Sequence, residues 1–279
     1  MIFMLEALLA GIIQGLTEFL PVSSSGHLVI YQSLFGSGDN SSNLAFNVFL
    51  HLATLLAVII VFRRDLWTLI KEFWAALVDL FRGKPNFKSP ARRFLLMVVV
   101  ATVPAVLVGA AIKILKWEAI LENIFVVAVM LLVTATLMFL VDKLNQGKYT
   151  EAKAPLKSAW LVGGLQAVAI LPGLSRSGTT IFAGLLGGFK KELAVRFAFI
   201  LSIPTILGAA LIELLEVAET GHLGVEPVNL VIGFLAAMIC GILSIRLIKV
   251  LIKNNKFWIF GIYCLLVAGL AFLIGFGVI

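Results

Sequence analysis

The chain has 279 residues, 61% hydrophobic and 13% charged, against roughly 25% charged in an ordinary soluble domain. With a mean hydropathy of +1.09, this excludes a soluble globular protein, a disordered chain, a disulfide scaffold and a nucleic-acid module. It divides the length into at most about eight bilayer crossings of about 20 residues each. The 22 Lys and Arg against 15 Asp and Glu, net +7, report basic cytoplasmic loops facing anionic lipid rather than polyanion binding.

In chain order, the first apolar stretch, residues 8–16, runs on to Glu18 and not into a small-residue cleavage site, so no cleavable signal is expected. Charge-free or nearly charge-free runs at 44–62, 94–112, 124–141, 197–212, 228–245 and 257–279 predict six crossings. The five tryptophans, Trp67, Trp74, Trp117, Trp160 and Trp258, fall at or near the flanks of these runs, where amphipathic rings sit at the headgroup level. The segments 63–93, 142–157 and 246–256 are basic and read as cytoplasmic, whereas 213–226 holds four glutamates and no Lys or Arg. Within the first basic segment, Leu66, Leu69, Ile70, Phe73, Leu77 and Leu80 recur at helical spacing up to Gly83, which predicts an amphipathic helix on the inner interface. Cys240 and Cys264 lie in apolar runs without ligand or disulfide spacing and read as packing residues.

Residues 1–28 and 158–190 do not fit the six-crossing count. Each has a proline near its middle, Pro21 and Pro172, followed by a Ser/Gly turn and a renewed apolar run, the pattern of a re-entrant helical hairpin. A single shift of 152 positions superposes Gln14 on Gln166, Ser25 on Ser177, Gly11 on Gly163, Ser23 on Ser175 and Gly26 on Gly178. Each hairpin precedes three spans, and an odd number of crossings turns the second half over. The expected fold is therefore all-α and polytopic, an inverted-topology repeat of residues 1–142 and 158–279 joined by a cytoplasmic linker at 143–157, with broken helices meeting near the midplane.

An ionisable group at membrane depth costs about 2.5 to 3.5 kcal/mol on the insertion scale, so Glu18, His27, His51 and Arg176 each need a reason. Gln14 and Glu18, four apart, project from one face of the first half-helix toward the turn. Ser23, Ser24, Ser25, Gly26 and His27 open one new helix; Ser175, Arg176, Ser177, Gly178, Thr179 and Thr180 open another. Unpaired amides and partial positive charge at a helix start bind anions, and an arginine fork suits phosphate, although the same hydroxyls serve as N-caps and Glu18 can simply pair with Arg176. One arginine plus two helix starts supplies roughly +2, suited to a phosphate or diphosphate. Glu18 beside such a ligand calls for protonation or a bridging divalent cation. The nucleophile is then a serine hydroxyl or water, with His27 as proton carrier. Asn47 and His51, also four apart, are placed beside the same cavity in a supporting role. The small pair Gly184 and Gly188 reads as a helix contact.

The runs Gln14-Gly-Leu-Thr-Glu18-Phe-Leu-Pro-Val-Ser-Ser-Ser-Gly-His27 and Pro172-Gly-Leu-Ser-Arg-Ser-Gly-Thr-Thr180 resemble the undecaprenyl-diphosphatase family, also called bacitracin-resistance proteins. The likeness spans essentially the whole chain. It implies an enzyme of the bacterial cytoplasmic membrane that removes the terminal phosphate of undecaprenyl diphosphate and recycles the lipid carrier for peptidoglycan synthesis. Mg²⁺ or Ca²⁺ dependence and bacitracin resistance come with it. By position, the resemblance implies Glu18, Ser24, His27 and Arg176 as catalytic but does not settle whether serine or histidine attacks phosphorus; we take Ser24 as nucleophile, Glu18 as metal ligand, His27 as acid/base and Arg176 as phosphate clamp. It makes Gln14 a second metal position, where relatives often carry glutamate, so a two-metal mechanism is disfavoured. Phosphate contacts fall to Ser23, Ser25, Gly26, Ser175, Ser177, Gly178, Thr179 and Thr180. The expected partners are a polyprenyl diphosphate and membrane lipid, with a homodimer allowed for and no nucleic acid. The competing reading is a secondary transporter or lipid-phosphate flippase, since inverted repeats with midplane half-helices are also transporter architecture.

Overall fold

The computed structural model describes residues 4–35, 40–83, 89–115, 123–144, 147–220 and 225–278. Among the described residues there are eleven α-helices and no strand, only an isolated bridge between Tyr149 and Phe189. In chain order the helices are α1 (Met4–Phe19), α2 (Ser24–Phe35), α3 (Asn40–Val61), α4 (Arg63–Phe81), α5 (Pro90–Leu115), α6 (Ile124–Val141), α7 (Leu156–Val168), α8 (Arg176–Leu186), α9 (Lys191–Thr220), α10 (Pro227–Leu251) and α11 (Trp258–Gly275).

Helices α5, α6, α9, α10 and α11 are each long and apolar enough to cross a bilayer. Helix α3, with 22 residues, is about 33 Å long and makes a sixth candidate span when counted with the helix that follows it. The spans run past the expected limits at their charged ends: α5 begins at Pro90 and carries Arg92 and Arg93, and α9 covers Lys191–Thr220 rather than 197–212. A charge-free run marks the extent of hydrocarbon, whereas the helix continues beyond it, where Arg92 and Lys191 are buried but partnered by Glu72, Asp79 and Asn255. Trp117 lies outside the described residues.

After α3 the chain bends by 85° into α4, the amphipathic helix expected there. Its Leu69 is buried while Trp67, Ile70, Phe73 and Trp74 stay exposed, and Gly83 closes it with φ +67°. Ion pairs hold α4 against its neighbours. Arg92 of α5 binds Glu72 at 3.2 Å and Asp79 at 2.6 Å, and Arg196 of α9 binds Asp65 at 2.7 Å and Glu151 at 2.6 Å. Exposed tryptophans on a helix held nearly perpendicular to its neighbour are the form of an amphipathic interfacial helix.

Both hairpins are present, with adjusted limits. Helix α1 stops at Phe19 because Pro21 has no N–H and its ring excludes a helical Thr17 carbonyl. Ser23 then takes φ +70°, and α2 continues to Phe35, well beyond residue 28. Pro172, by contrast, does not end α7. It lies inside the turn after Val168, where Gly173 at φ +91° reverses the chain. Helices α2 and α8 start at 24 and 176, which keeps the 152-residue shift.

The two turns meet reciprocally. A Cβ at Gly26 would lie 3.1 Å from Gly173 Cα, and one at Gly178 would lie 3.0 Å from Pro21 Cβ. These two contacts exchange under the 152-residue shift. Helix α1 packs on α10 through Gly11 and Gly15 against Gly233 and Ala237, and α7 packs on α5 through Gly163 against Ala101, with backbones too close for an intervening Cβ. One pair of equivalents differs. Between α3 and α10 the gap is filled by Phe46, Leu50, Ala53, Phe234 and Ala237. Between α5 and α9, Val103, Val106, Leu107 and Leu207 stay exposed, and nothing lies within 4 Å of a Cβ at Gly208.

Candidate active site

The turns place Glu18, the last polar residue of α1, opposite Arg176, the first residue of α8. Arg176 Nη2 contacts Glu18 Oε1, while Glu18 Oε2 accepts from Ser24 Oγ at 2.8 Å and from Gln14 Nε2 at 3.1 Å. The Glu18 side chain is 2% exposed and that of Arg176 27%, so the carboxylate is out of water and the guanidinium faces open space. Arg176 Nη1 also donates to Thr205 Oγ1 at 3.1 Å, just after the proline that interrupts α9. Removing one member of such a pair strands the other and costs about 3–5 kcal/mol.

Two of the predicted phosphate-binding hydroxyls are caps. Ser23 Oγ accepts from Gly26 N, and Ser175 Oγ accepts from Gly178 N, each at 3.2 Å. Each also pairs with the next-but-one serine, Ser23 with Ser25 at 3.3 Å and Ser175 with Ser177 at 3.2 Å. The first backbone amides of both helices, from Ser24 and Arg176 onward, therefore point out of the helix ends without intrahelical acceptors.

These groups open on a cavity of about 580 Å³. Its polar end holds Glu18, Ser23, Ser24, Ser25, Ser175, Arg176 and Thr205; its wall, from α5, the α7–α8 turn and α9, includes Ala105, Gly109, Ile170 and Ala209. His51, Lys113, Gln166 and Glu213 also line it. A second, apolar groove of about 330 Å³ between α5 and α9 shares Val106 and Pro204 with it.

Several expected residues lie elsewhere. His27 is not in the cavity lining: its Nδ1 donates to the Ser23 carbonyl at 2.7 Å and its Nε2 accepts from the Tyr263 hydroxyl at 2.7 Å, ring stacked on ring. A carbonyl only accepts, so the proton sits on Nδ1. Both nitrogens are then engaged, Nδ1 by the left-handed Ser23 and Nε2 by Tyr263. Gln14 is spent on Glu18 and Gly26 and Gly178 on the turn contacts, Ser177 donates to the Leu20 carbonyl, and Thr180 bonds back to Arg176 O. Thr179 is buried without a partner and away from the cavity. Of the supporting pair, His51 reaches the cavity while the Asn47 carbonyl accepts from its Nδ1 at 2.9 Å.

The sequence reading passed over Gln166, Thr205 and the turn-holding pair Thr134 and Cys264. Thr134 Oγ1 donates to Gly173 O at 2.9 Å, and Cys264 Sγ points at Pro21 O at 3.7 Å, a second reciprocal pair. Gln166 is 2% exposed and lines the cavity, yet neither Nε2 nor Oε1 has a partner. Leaving a buried polar group unpaired costs about 1–3 kcal/mol. Its match to Gln14 was the signal available.

A profile of the family described as Bacitracin resistance protein BacA matches residues 7–270. The chain belongs to this family. Among the relatives it resembles, a protein named undecaprenyl-diphosphatase from Methanobrevibacter smithii is 42% identical over 272 residues, 96% of either chain. One of the same name from Methanosphaera stadtmanae is 38% identical over 96% of either chain. Another from Alkaliphilus metalliredigens is 40% identical over 92% of this chain and 94% of its own. The match thus includes both turns and every residue that lines the cavity.

Proposed function

We propose that this protein hydrolyses undecaprenyl diphosphate to undecaprenyl phosphate and inorganic phosphate, recycling the lipid carrier for peptidoglycan synthesis and with it conferring bacitracin resistance. One observation carries the reading: a serine hydroxyl donates to a buried carboxylate that an arginine holds from its other side, at the polar end of the cavity. Transport needs no such nucleophile and base pair.

Ser24 Oγ attacks the terminal phosphorus while Glu18 Oε2, 2.8 Å away, takes its proton. The P–O bond to the bridging oxygen breaks, undecaprenyl phosphate departs, and water hydrolyses the phosphoserine. Arg176 and the outward amides of α2 and α8 neutralise charge on the equatorial oxygens. His27 serves the turn, not the proton.

A divalent cation, Mg²⁺ or Ca²⁺, fits only together with substrate. Glu18 is the carboxylate at the phosphate end, its oxygens already accept from Arg176, Ser24 and Gln14, and no cluster of three or more His, Cys, Asp or Glu is gathered among the described residues. Glu18 would be its protein ligand; when bound, it adds positive charge at the phosphate oxygens.

The isoprenoid tail leaves through the groove between α5 and α9. We read residues 1–142 and 158–279 as halves inserted from opposite faces of the cytoplasmic membrane, supported by the reciprocal turn contacts. The cavity lining reaches Lys113 and Glu213, far along α5 and α9 from their basic starts, so with basic ends inside it opens outward.

The test is phosphate release from a polyprenyl diphosphate by purified protein in detergent, with acid-quench trapping of phosphoserine at Ser24. Metal-replete protein that turns nothing over but moves lipid phosphate across liposomes is a flippase instead.

A further inference from the structure

Gln166 combines three properties that no structural role accounts for. It is 2% exposed, both ends of its carboxamide lack a partner, and it lines the cavity that holds Glu18, Ser24 and Arg176. Its counterpart in the first half, Gln14, is equally buried but donates to Glu18 at 3.1 Å. The same side chain at equivalent positions is thus spent in one half and unspent in the other.

The carboxamide is also held in place. One turn before it, Gly163 presses α7 onto the Ala101 backbone of α5, so the stretch carrying Gln166 cannot shift toward α5. One turn after it, Ala169 and Ile170 belong to the apolar wall of the cavity, and Ile170 reaches to 4.0 Å from a Cβ at Gly109. Residues three and four apart share a helix face. Gln166 therefore stands where the anion-binding floor gives way to the apolar wall.

We infer that Gln166 contacts the lipid-side phosphate of the diphosphate, with Nε2–H donating to an oxygen of the group that departs with the tail. This rests on the phosphatase reading and extends it. Arg176 and Ser24 address the phosphate that is transferred; Gln166 addresses the one that leaves, whose charge grows as the bridging bond breaks. A donor placed there strengthens in the transition state.

The test uses the Gln166→Leu variant of the whole protein in detergent, with farnesyl diphosphate as substrate and farnesyl monophosphate and inorganic phosphate as inhibitors. Leucine fills similar space and removes the unpaired amide. The expected results are a ligand-free Tm at or above that of the parent, kcat for farnesyl diphosphate lowered ten- to a hundredfold, inhibition by farnesyl monophosphate weakened at least tenfold, and inhibition by inorganic phosphate unchanged. A lowered Tm, or unchanged inhibition by farnesyl monophosphate, overturns the assignment, as does equal weakening for both inhibitors, which would put Gln166 at the transferred phosphate. A parent protein that binds farnesyl monophosphate but hydrolyses no diphosphate removes the phosphatase reading while leaving the Gln166 contact open to the same inhibitor comparison.

Discussion

Arg176 reaches across 158 positions of sequence to hold Glu18, and the carboxylate it holds also accepts from Ser24. The pair is both a structural tie between the halves and the electrostatic centre of the site, and these roles separate experimentally. Arg176→Ala leaves a buried carboxylate alone and should lower stability by about 3–5 kcal/mol as well as reduce kcat/KM by about a thousandfold. Adding Glu18→Gln to Arg176→Ala should restore most of the Tm without restoring turnover. Thermal melts and steady-state kinetics on the two variants check this.

Ser24→Ala should reduce turnover by three or more orders of magnitude with little effect on Tm, and should abolish labelled phosphoserine. His27→Gln should behave oppositely. Its ring is engaged by Ser23 O and Tyr263, so the variant should lose stability of roughly 1–3 kcal/mol but keep measurable phosphoserine formation. A His27 variant that is fully stable and dead would restore it as the proton carrier.

The groove between α5 and α9 predicts a chain-length effect. Val103 lines it and Gly208 faces open space beside it, so Val103→Trp or Gly208→Leu should raise KM for a long polyprenyl diphosphate at least tenfold more than for farnesyl diphosphate. Val231→Trp, on the exposed face of α10, is the control and should change neither.

Chelation should stop hydrolysis, and Mg²⁺ or Ca²⁺ should restore it, yet chelator should leave the ligand-free Tm unmoved. A resident ion would add to folded-state stability; one that arrives on the diphosphate does not. A Tm lowered by chelator would point to a permanent site.

Spans, hairpins and the Glu18–Arg176 pairing were legible because they follow from hydropathy and from the cost of charge in lipid. What escaped was set by single backbone angles and by packing between distant helices. Ser24 and His27 open the same helix just after the left-handed Ser23, φ +70°, yet Ser24 donates to Glu18 while His27 bonds to Tyr263. No periodicity reports a left-handed serine. Pro172 was read as a helix end, whereas the reversal is made by Gly173. The cavity wall is invisible in sequence because Ala105, Gly109 and Ala209 look like any apolar span residues; only the failure of α5 and α9 to close, where α3 and α10 do, distinguishes them.

The contact of Gly26 with Gly173 joins the two turns main chain to main chain. Such a joint has no rotamers to absorb motion, so a displacement of either half-helix pair is handed to the other as a rigid movement. The spacing between the Ser24 hydroxyl and the Arg176 guanidinium is therefore fixed by backbone packing between the turns, and the polar groups stand gathered before any lipid arrives.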